Sequence, residues 1–230
     1  MTLPPMKSIA RIRSDFPTKF GIPRQSGLVQ ALRSTVVFEP EFRNPDALRG
    51  LEGFDYIWLI WQFSASVRED WSPTVRPPRL GGNVRMGVFA TRSPFRPNPI
   101  GLSCVRLERI EFSDTHGPVL RVAGADLMDG TPIYDIKPYL PYADAHPEAL
   151  GGFAPSPKET VEVDCPPELL SALPEGQREA LLGVLAQDPR PQYQHDPERV
   201  YGMSFGSWDV RFRVCGERLE GLSLTENQQR

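Results

Sequence analysis

Prolines recur along the whole of this chain, 25 of them among 230 residues, accompanied by 19 glycines. Each proline removes a backbone hydrogen-bond donor and fixes φ, which disfavours long helices and favours turns, strand edges and rigid loops. The residues are 40% hydrophobic and 24% charged, values typical of a folded globular protein. Together these properties predict a mainly β fold.

Several classes of protein are excluded by what the sequence lacks. The longest apolar run, YIWLIW, has the length of a strand and falls far short of the roughly 18 residues of a membrane span. The N-terminal MTLPPMKSIARIR has no apolar core and does not resemble a secretory signal. Cys104, Cys165 and Cys215 are far apart, a pattern typical of reduced thiols in the cytoplasm, and the three histidines lack ligand spacing. We therefore expect a cytoplasmic protein without a metal site.

The first two thirds of the chain read as a series of strands. The segment FDYIWLIWQF is apolar at both alternate sets of positions, which predicts a strand buried on both faces. PDALRGLEGF predicts a short helical turn. The turn spacing favours a barrel or a sandwich over alternating βαβ units. The other predicted strands are KSIARIR, STVVFEP, VRMGVFAT, GLSCVRLERIEF, VLRVAGADL and TPIYDIKPYLPYAD.

A second unit follows a stretch rich in Gly, Pro and Ser. PEGQREALLGVLAQ carries Ala180, Leu181, Val184 and Leu185 at helical spacing, which predicts an amphipathic helix. VYGMSF and WDVRFRV, joined by Gly-Ser, predict a hairpin, and LEGLSLT a third strand. The prediction is an N-terminal domain over 1–148, a linker over 149–165 and a small α+β domain over 166–230.

The charge is distributed unevenly, although the net charge is only −3. Between Val75 and Arg106 every charged residue is an arginine. Guanidinium binds phosphate and carboxylate through two parallel hydrogen bonds and stacks on bases, whereas ammonium acts as a hydrated point charge. This segment therefore predicts recognition of a specific anionic or planar ligand.

The sequence has no GxGxxG after a strand, no GxxxxGK(S/T) and no HExxH, and no GxSxG lies in a plausible strand–turn–helix context, so dinucleotide, NTP, metalloprotease and serine-hydrolase chemistry are unsupported. Four unusual polar segments remain: GIPRQSG, FATRSPFRPNPIGLS, DLMDGTPIYDIKPYLPYAD and DPRPQY. In each, prolines fix the backbone around side chains that form directional hydrogen bonds, which lowers the entropic cost of holding a binding geometry. A cleft lined in this way could hold a nucleoside-like ligand.

Taken together, GIPRQ, VRPPRLGG, GVFATRSPFRPNPIGLS, DLMDGTPIYDIKPYLPYAD and DPRPQY resemble the TsaA-like family, and within it the bacterial tRNA methyltransferases of the O type. The resemblance covers essentially the whole chain. It implies a small single-sheeted β-barrel that binds S-adenosylmethionine, usually as a homodimer, with a small α+β C-terminal domain. The implied reaction methylates N6 of threonylcarbamoyladenosine beside the anticodon of threonine tRNA.

The resemblance also implies which residues bind the cofactor. They are Pro23, Arg24, Gln25, Arg92, Leu102, Asp129, Gly130, Thr131 and Pro132. Ser64 is also included, although this chain differs from the family there: the family commonly has a histidine at this position, after the strand that ends in Phe63.

The expected RNA partner is the anticodon loop of tRNA. We expect a patch of Arg76, Arg79, Arg85 and Arg96 to contact tRNA phosphates or the threonyl carboxylate, extended by Lys137, Tyr139, Arg190 and Tyr193. A base near the target nitrogen would assist the reaction, and Asp126, Asp129 and Asp135 are unranked candidates. Two alternatives stay open: a module that senses S-adenosylmethionine without transferring methyl groups, and a non-enzymatic RNA-binding module.

Overall fold

The computed structural model describes residues 5–191, 194 and 196–227. Six strands of the N-terminal part pair in a closed barrel, in the order β1-β2-β7-β6-β3-β8, with every pair antiparallel. The ring closes where Ala10 of β1 pairs with Ile133 of β8. These strands are β1 (Ala10–Arg13), β2 (Arg33–Phe38), β3 (Tyr56–Gln62), β6 (Ile100–Ser113), β7 (Gly117–Ala123) and β8 (Pro132–Pro138).

The segment between β3 and β6 holds only a short ribbon, in which β4 (Thr74–Val75) pairs with β5 (Met86–Gly87). VRMGVFAT was predicted as a full strand, and this prediction is wrong: the chain leaves β5 after two residues and enters a 3-10 turn at Val88–Ala90. The remaining 3-10 turns include Pro45–Leu48 and Leu51–Gly53, where a short helical turn was predicted.

The C-terminal part combines helices with a four-stranded sheet in the order β10-β11-β12-β9. Strand β9 was not predicted: residues 162–164 fall in the predicted linker, yet they pair in parallel with β12. The elements after the barrel are α1 (Pro141–Asp144), β9 (Glu162–Asp164), α2 (Pro167–Ser171), α3 (Glu175–Ala186), β10 (Val200–Phe205), β11 (Trp208–Cys215) and β12 (Arg218–Glu226).

The local predictions for this part are confirmed. Helix α3 buries Ala180, Leu181, Val184 and Leu185, the residues at helical spacing. Strand β11 buries its alternate residues from Val210 to Val214 against the same core. The mainly β fold and a separate C-terminal α+β part are therefore both observed.

Two hydrophobic cores organise the molecule, one inside the barrel and one between α3 and the C-terminal sheet. The loop that joins β1 to β2 lies in the second core: the Phe16 ring meets the Phe205 ring edge-on with centroids 5.8 Å apart. The backbone N–H of Gly206 also donates to the Asp15 carbonyl at 2.7 Å. The chain segment that carries GIPRQ is thus anchored on the C-terminal part, and the domain boundaries stay a prediction.

Strand β3 alternates between a buried and a half-exposed face, which corrects the prediction that both faces are buried. Ile57, Leu59 and Trp61 point into the barrel, whereas Tyr56 is 38% exposed on the outside. On the outer face Ile60 lies opposite Leu102 of β6. In the described part of the chain, no helix has both the length and the apolar character needed to cross a membrane.

The approach of β6 to Trp61 gives a stability prediction. A Cβ at Gly101 would lie 2.3 Å from Cε2 of the buried Trp61 ring. Overpacking of this kind costs about 1–3 kcal/mol, so Gly101→Ala should lower the free energy of unfolding by that amount in a denaturant titration. Gly202→Ala in β10 is the matched control, since its Cβ would meet nothing within 4 Å. Equal stabilities of the two variants would contradict the packing described.

Candidate active site

A polar cluster lies where the loop after β7 meets the GIPRQ loop and the arginine-rich segment. Arg92 donates from Nη1 to Oε1 of Gln25, although these residues are 67 positions apart. Asp126 accepts a hydrogen bond from Oγ of Ser103 at 2.5 Å. The charge of Arg92 and the backbone N–H of Ser26 both act on the Asp126 carboxylate. The structure therefore brings together Gln25, Arg92 and Asp126 from three of the segments singled out in the sequence.

The GIPRQ loop reaches this cluster because its backbone is tied to the loop after β7. The N–H of Gly27 donates to the Gly124 carbonyl at 2.8 Å, and Gly124 returns a bond to the Leu32 carbonyl at 3.0 Å. Both glycines have positive φ, and a Cβ on Gly124 would lie 3.3 Å from Cα of Gly27. Two backbones can approach this closely only where neither carries a side chain between them.

The Asp126 carboxylate is held in a largely buried position. Burial raises the pKa of Asp126, while the hydrogen bond from Ser103 and the positive charge of Arg92 act in the opposite direction. The buried Trp61 indole donates from Nε1 to Ser103 Oγ at 2.9 Å. A chain of hydrogen bonds from Trp61 through Ser103 thus orients the carboxylate, and the raised pKa makes it a better proton acceptor than an ordinary surface aspartate.

The other two aspartate candidates have structural partners. Asp129 Oδ1 accepts from the Ser14 backbone N–H at 3.1 Å, and Oδ2 lies 3.6 Å from Arg13 Nη1. Asp135 lies on β8, where Oδ2 pairs with Lys137 Nζ at 3.0 Å. Among the three candidates, Asp126 alone shares a cluster with Gln25 and Arg92.

The DGTP turn is joined closely to β1. The N–H of Gly130 donates to the Ile12 carbonyl at 2.8 Å, and the buried Thr131 hydroxyl donates to the Met128 carbonyl at 2.6 Å. Pro132, buried as well, begins β8. These contacts position Asp129 to Pro132 at the barrel rim, but no direct contact joins them to Arg92 among the described residues.

The remaining predicted cofactor residues are more dispersed. Pro23 is buried and Arg24 is exposed in the loop that carries Gln25. Ser64 is exposed in the turn after β3, next to Ala65, whose carbonyl accepts from Lys19 Nζ at 2.8 Å. Leu102 is 54% exposed on the outside of β6. Successive strand residues face opposite sides, so its side chain points away from Ser103 and the cluster around Asp126.

The predicted RNA-contacting residues fall into two groups. Arg76 and Arg85 are exposed and form no ion pair with any residue in the described ranges, whereas Arg79 donates to the Ser156 carbonyl at 2.5 Å. Arg96 donates to the Thr91 carbonyl at 3.2 Å. The guanidinium of Arg190 pairs with Asp188 at 2.9 Å, and its side chain is only 12% exposed.

Of the two tyrosines predicted to contact RNA, one packs on the barrel surface. Tyr139 lies against Trp58 and Tyr56, with ring centroids 5.9 Å and 6.2 Å away. Lys137, two residues earlier and still on β8, is exposed beside Asp135. The other predicted contact, Tyr193, lies outside the described residues.

A cavity of about 410 Å³ elsewhere on the barrel includes none of the predicted cofactor residues. Its lining carries Arg33 and Arg121, which pair with Glu108 at 3.0 Å and Glu111 at 2.6 Å. These two arginines are thus paired with carboxylates of the protein itself. In the residues that the structure describes, no group of three or more potential metal ligands occurs.

Sequence reasoning missed Ser103 and Ser26, which complete the surroundings of Asp126. Ser103 occupies an inward position of β6, in register with the buried Val105 and Leu107. A lone hydroxyl in an otherwise apolar alternation is the signal that could have identified it, because a buried polar group needs a partner.

The fold and the cluster define a β-barrel protein with a polar cluster of Gln25, Arg92 and Asp126 and an appended α+β part. The same architecture occurs in a solved TrmO structure from Pseudomonas aeruginosa, which aligns with a TM-score of 0.78 at 36% identity and covers 97% of this chain and 99% of that one.

The family model of the tRNA-methyltransferase O N-terminal domain matches residues 11–145, and that of the TrmO C-terminal domain matches residues 158–227. The chain belongs to the tRNA-methyltransferase O family.

Named relatives agree with this assignment. A tRNA (adenine(37)-N6)-methyltransferase of Eikenella corrodens is 53% identical over 175 residues, which cover 75% of this chain and 96% of the relative. A protein of the same name from Escherichia coli K12 is 41% identical over 227 residues, covering 95% of this chain and 96% of the relative.

Proposed function

We propose that this chain is an S-adenosylmethionine-dependent methyltransferase that methylates N6 of adenosine 37 in tRNA. The threonylcarbamoyl-modified adenosine of threonine tRNA is the proposed substrate. Family membership supports the reaction class. The observation that carries the proposal is the largely buried Asp126 carboxylate beside Arg92 and Gln25, which supports a role for Asp126 as the proton acceptor of this cluster.

The side chains of the cluster fit the chemistry of S-adenosylmethionine. Arg92 has five N–H donors, and the hydrogen bond to Gln25 uses one of them, so the guanidinium can also hold the carboxylate of the methionyl part. The N–H groups of the DGTP turn are already bonded within the fold. The Gln25 amide and the carbonyl oxygens of this turn can still accept hydrogen bonds from an adenine amino group and the ribose hydroxyls. Pro23 and Arg24 complete this wall in our proposal, and Ser64 extends it.

When bound, S-adenosylmethionine would supply an electrophilic methyl group on its sulfonium. In-line attack by the target nitrogen would form the N–C bond, break the C–S bond and release S-adenosylhomocysteine. The N6 nitrogen is a poor nucleophile because its lone pair is delocalised into the ring and the neighbouring carbonyl. Asp126 accepts the proton that this nitrogen loses, and Ser103 and Arg92 hold the carboxylate in place. The rigid loops contribute by fixing the two reactants in near-attack geometry.

The RNA surface in this proposal consists of arginines of the segment between β3 and β6, of which Arg76 and Arg85 are exposed and Arg96 is half-buried. Arg76, Arg85 and Arg96 contact phosphates of the anticodon loop, with support from Lys137. Arg79 contacts RNA with the guanidinium N–H groups that its hydrogen bond to the Ser156 carbonyl leaves free. Arg190 is left out, because its buried pair with Asp188 serves to hold the C-terminal loop.

We further propose that the protein works as a homodimer. The outer face of β3 and β6 carries Ile100 and Leu102, which are 38% and 54% exposed, beside the half-buried Ile60. Covering this face with a second copy would also bring Leu102 into a closed environment. Sedimentation velocity measures the state directly, and a monomer at micromolar concentration would contradict this part.

Salt dependence tests the RNA surface. Because each phosphate contact releases counterions, Arg85→Ala should flatten the slope of log affinity for tRNA against log salt by about one unit. Arg49→Ala is the matched control, since this exposed arginine already pairs with Asp46 outside the segment. An unchanged slope for Arg85→Ala would remove this residue from the interface.

The proposed activity is tested with labelled S-adenosylmethionine and tRNA that does or does not carry the threonylcarbamoyl group. We expect label in the modified RNA only. Cofactor binding without label in any RNA would favour a sensor, and RNA binding without affinity for the cofactor would favour a non-enzymatic RNA-binding module.

A further inference from the structure

Two aromatic rings lie stacked on the surface, outside both hydrophobic cores. The ring centroids of Trp71 and Phe89 are 6.1 Å apart with an interplanar angle of 29°. These residues are 51% and 72% exposed, and neither belongs to either core cluster. Core packing therefore does not explain them, and adjacent exposed aromatic rings of this kind mark an interaction surface.

The pair is held by a small scaffold. Val75 of β4 pairs with Met86 of β5, and the Val88 N–H donates to the Pro73 carbonyl at 2.9 Å. The Thr91 hydroxyl caps the following turn by donating to the Val88 carbonyl at 2.8 Å. The backbone around both rings is thus fixed before any ligand arrives, which lowers the entropic cost of binding.

Cationic groups lie on the Phe89 side of the pair, whereas Glu69 and Asp70 precede Trp71 in the sequence. The guanidinium carbon of Arg96 lies 6.0 Å from the Phe89 ring centroid, and that of Arg68 lies 3.7 Å above the neighbouring Phe95 ring. From residue 71 to residue 106 the chain has no acidic side chain, and its six charged residues are all arginines. A polyanion therefore meets attraction along the whole segment.

The same loop continues into the site described above. Arg92 follows Phe89 by three residues and contacts Gln25 beside Asp126. Three residues span at most about 11 Å, so a ligand that stacks on Phe89 lies within the length of one or two nucleotides of Arg92.

We propose that Trp71 and Phe89 form a stacking platform for an unpaired nucleobase of the anticodon loop, a neighbour of the base that is methylated. This inference rests on the proposed function. Aromatic faces interleaved with arginines are the chemistry of single-stranded nucleic acid binding, because every base offers a π face and every nucleotide a phosphate. An apolar protein partner would not need six arginines in a segment, residues 71–106, that has no acidic side chain.

The test replaces the π face but keeps the apolar bulk. Phe89→Leu and Trp71→Leu in the full-length protein should weaken tRNA binding by roughly 5- to 150-fold each, the range for loss of one base–aromatic stack. Trp71→Phe keeps a ring and should lose little. The slope of affinity against salt should stay as in the wild type, since no charge is removed. Phe112→Leu is the matched control, because Phe112 is also 72% exposed but lies on β6, outside the segment.

Each outcome is decisive for the platform. Wild-type tRNA affinity in both leucine variants, with methyl transfer by the wild type intact, would overturn the platform and leave the proposed function standing. A wild-type protein that binds tRNA but transfers no methyl group would overturn the function, while the affinity ratios would still measure the platform. Loss of self-association in Phe89→Leu with unchanged tRNA affinity would assign the rings to a contact between two copies, which also overturns the proposal.

Discussion

Asp126→Asn should reduce the rate of methyl transfer by about 10²- to 10⁴-fold, the range for loss of a general base. The substitution keeps the shape of the side chain and an oxygen that can accept the hydrogen bond from Ser103. It removes only the capacity to take a proton. Single-turnover kinetics with saturating tRNA and cofactor measure the effect, and the affinity for S-adenosylmethionine should change little.

Two comparisons make this result specific. Asp135→Asn removes a carboxylate that is paired with Lys137, and it should retain most of the activity. Ser103→Ala removes a hydrogen bond that lowers the pKa of Asp126, so the acidic limb of the pH–rate profile should move to higher pH. A rate loss in Asp135→Asn equal to that in Asp126→Asn would contradict the assignment.

Asp126→Asn should lower activity without lowering the free energy of unfolding. Because burial raises the pKa of Asp126 in the folded state, the unfolded chain releases this proton first as pH rises. This group therefore lowers stability progressively between its ordinary pKa and its raised pKa. Asp126→Asn should remove that decline, so the variant should be at least as stable as the wild type at neutral pH in thermal unfolding.

Arg92→Ala should weaken binding of S-adenosylmethionine by roughly 10- to 150-fold, since a hydrogen bond to a charged group contributes about 1.5–3 kcal/mol. The variant also loses the contact that orients Gln25. Removing the positive charge should raise the pKa of Asp126 further, which moves the acidic limb of the pH–rate profile to higher pH. Isothermal titration calorimetry measures the affinity.

Two arginine variants serve as controls for this experiment. Arg92→Lys keeps the positive charge but loses the planar guanidinium with its paired donors. Its pH–rate profile should therefore lie closer to that of the wild type than its affinity for S-adenosylmethionine does. Arg85→Ala removes an exposed arginine of the same segment and should leave cofactor affinity unchanged. Wild-type cofactor affinity in Arg92→Ala would remove Arg92 from the binding site.

Elements governed by local pattern could be predicted from the sequence. The helical spacing of residues 180–185 and the alternation of residues 210–214 each describe one buried face, and α3 and β11 follow them. The exposure of β3 was harder to predict, because Tyr56 and Trp58 on its outer face are as apolar as their buried neighbours. Only the tertiary fold leaves this outer face partly exposed. The strand β9 depends on a parallel partner more than 50 residues away, which no local signal reveals.

The residues of the Asp126 cluster could be singled out from the sequence as candidates, but their geometry could not. The sequence motifs identified Gln25, Arg92 and Asp126, yet their meeting depends on a backbone contact between Gly27 and Gly124 that only the folded chain creates. Ser103 was missed because one serine in a long strand carries little signal by itself. The Trp71 and Phe89 platform was missed because the two rings stack only after β4 and β5 pair.

The most direct test of the account is the chemical identity of nucleoside 37 after reaction. Threonine tRNA bearing the threonylcarbamoyl group would be incubated with the protein and S-adenosylmethionine, digested to nucleosides and analysed by mass spectrometry. We predict one added methyl group at N6 of the modified adenosine, formed by the wild type and nearly absent with Asp126→Asn. An unmethylated nucleoside 37 from the wild type, despite bound cofactor and bound tRNA, would contradict the proposed function.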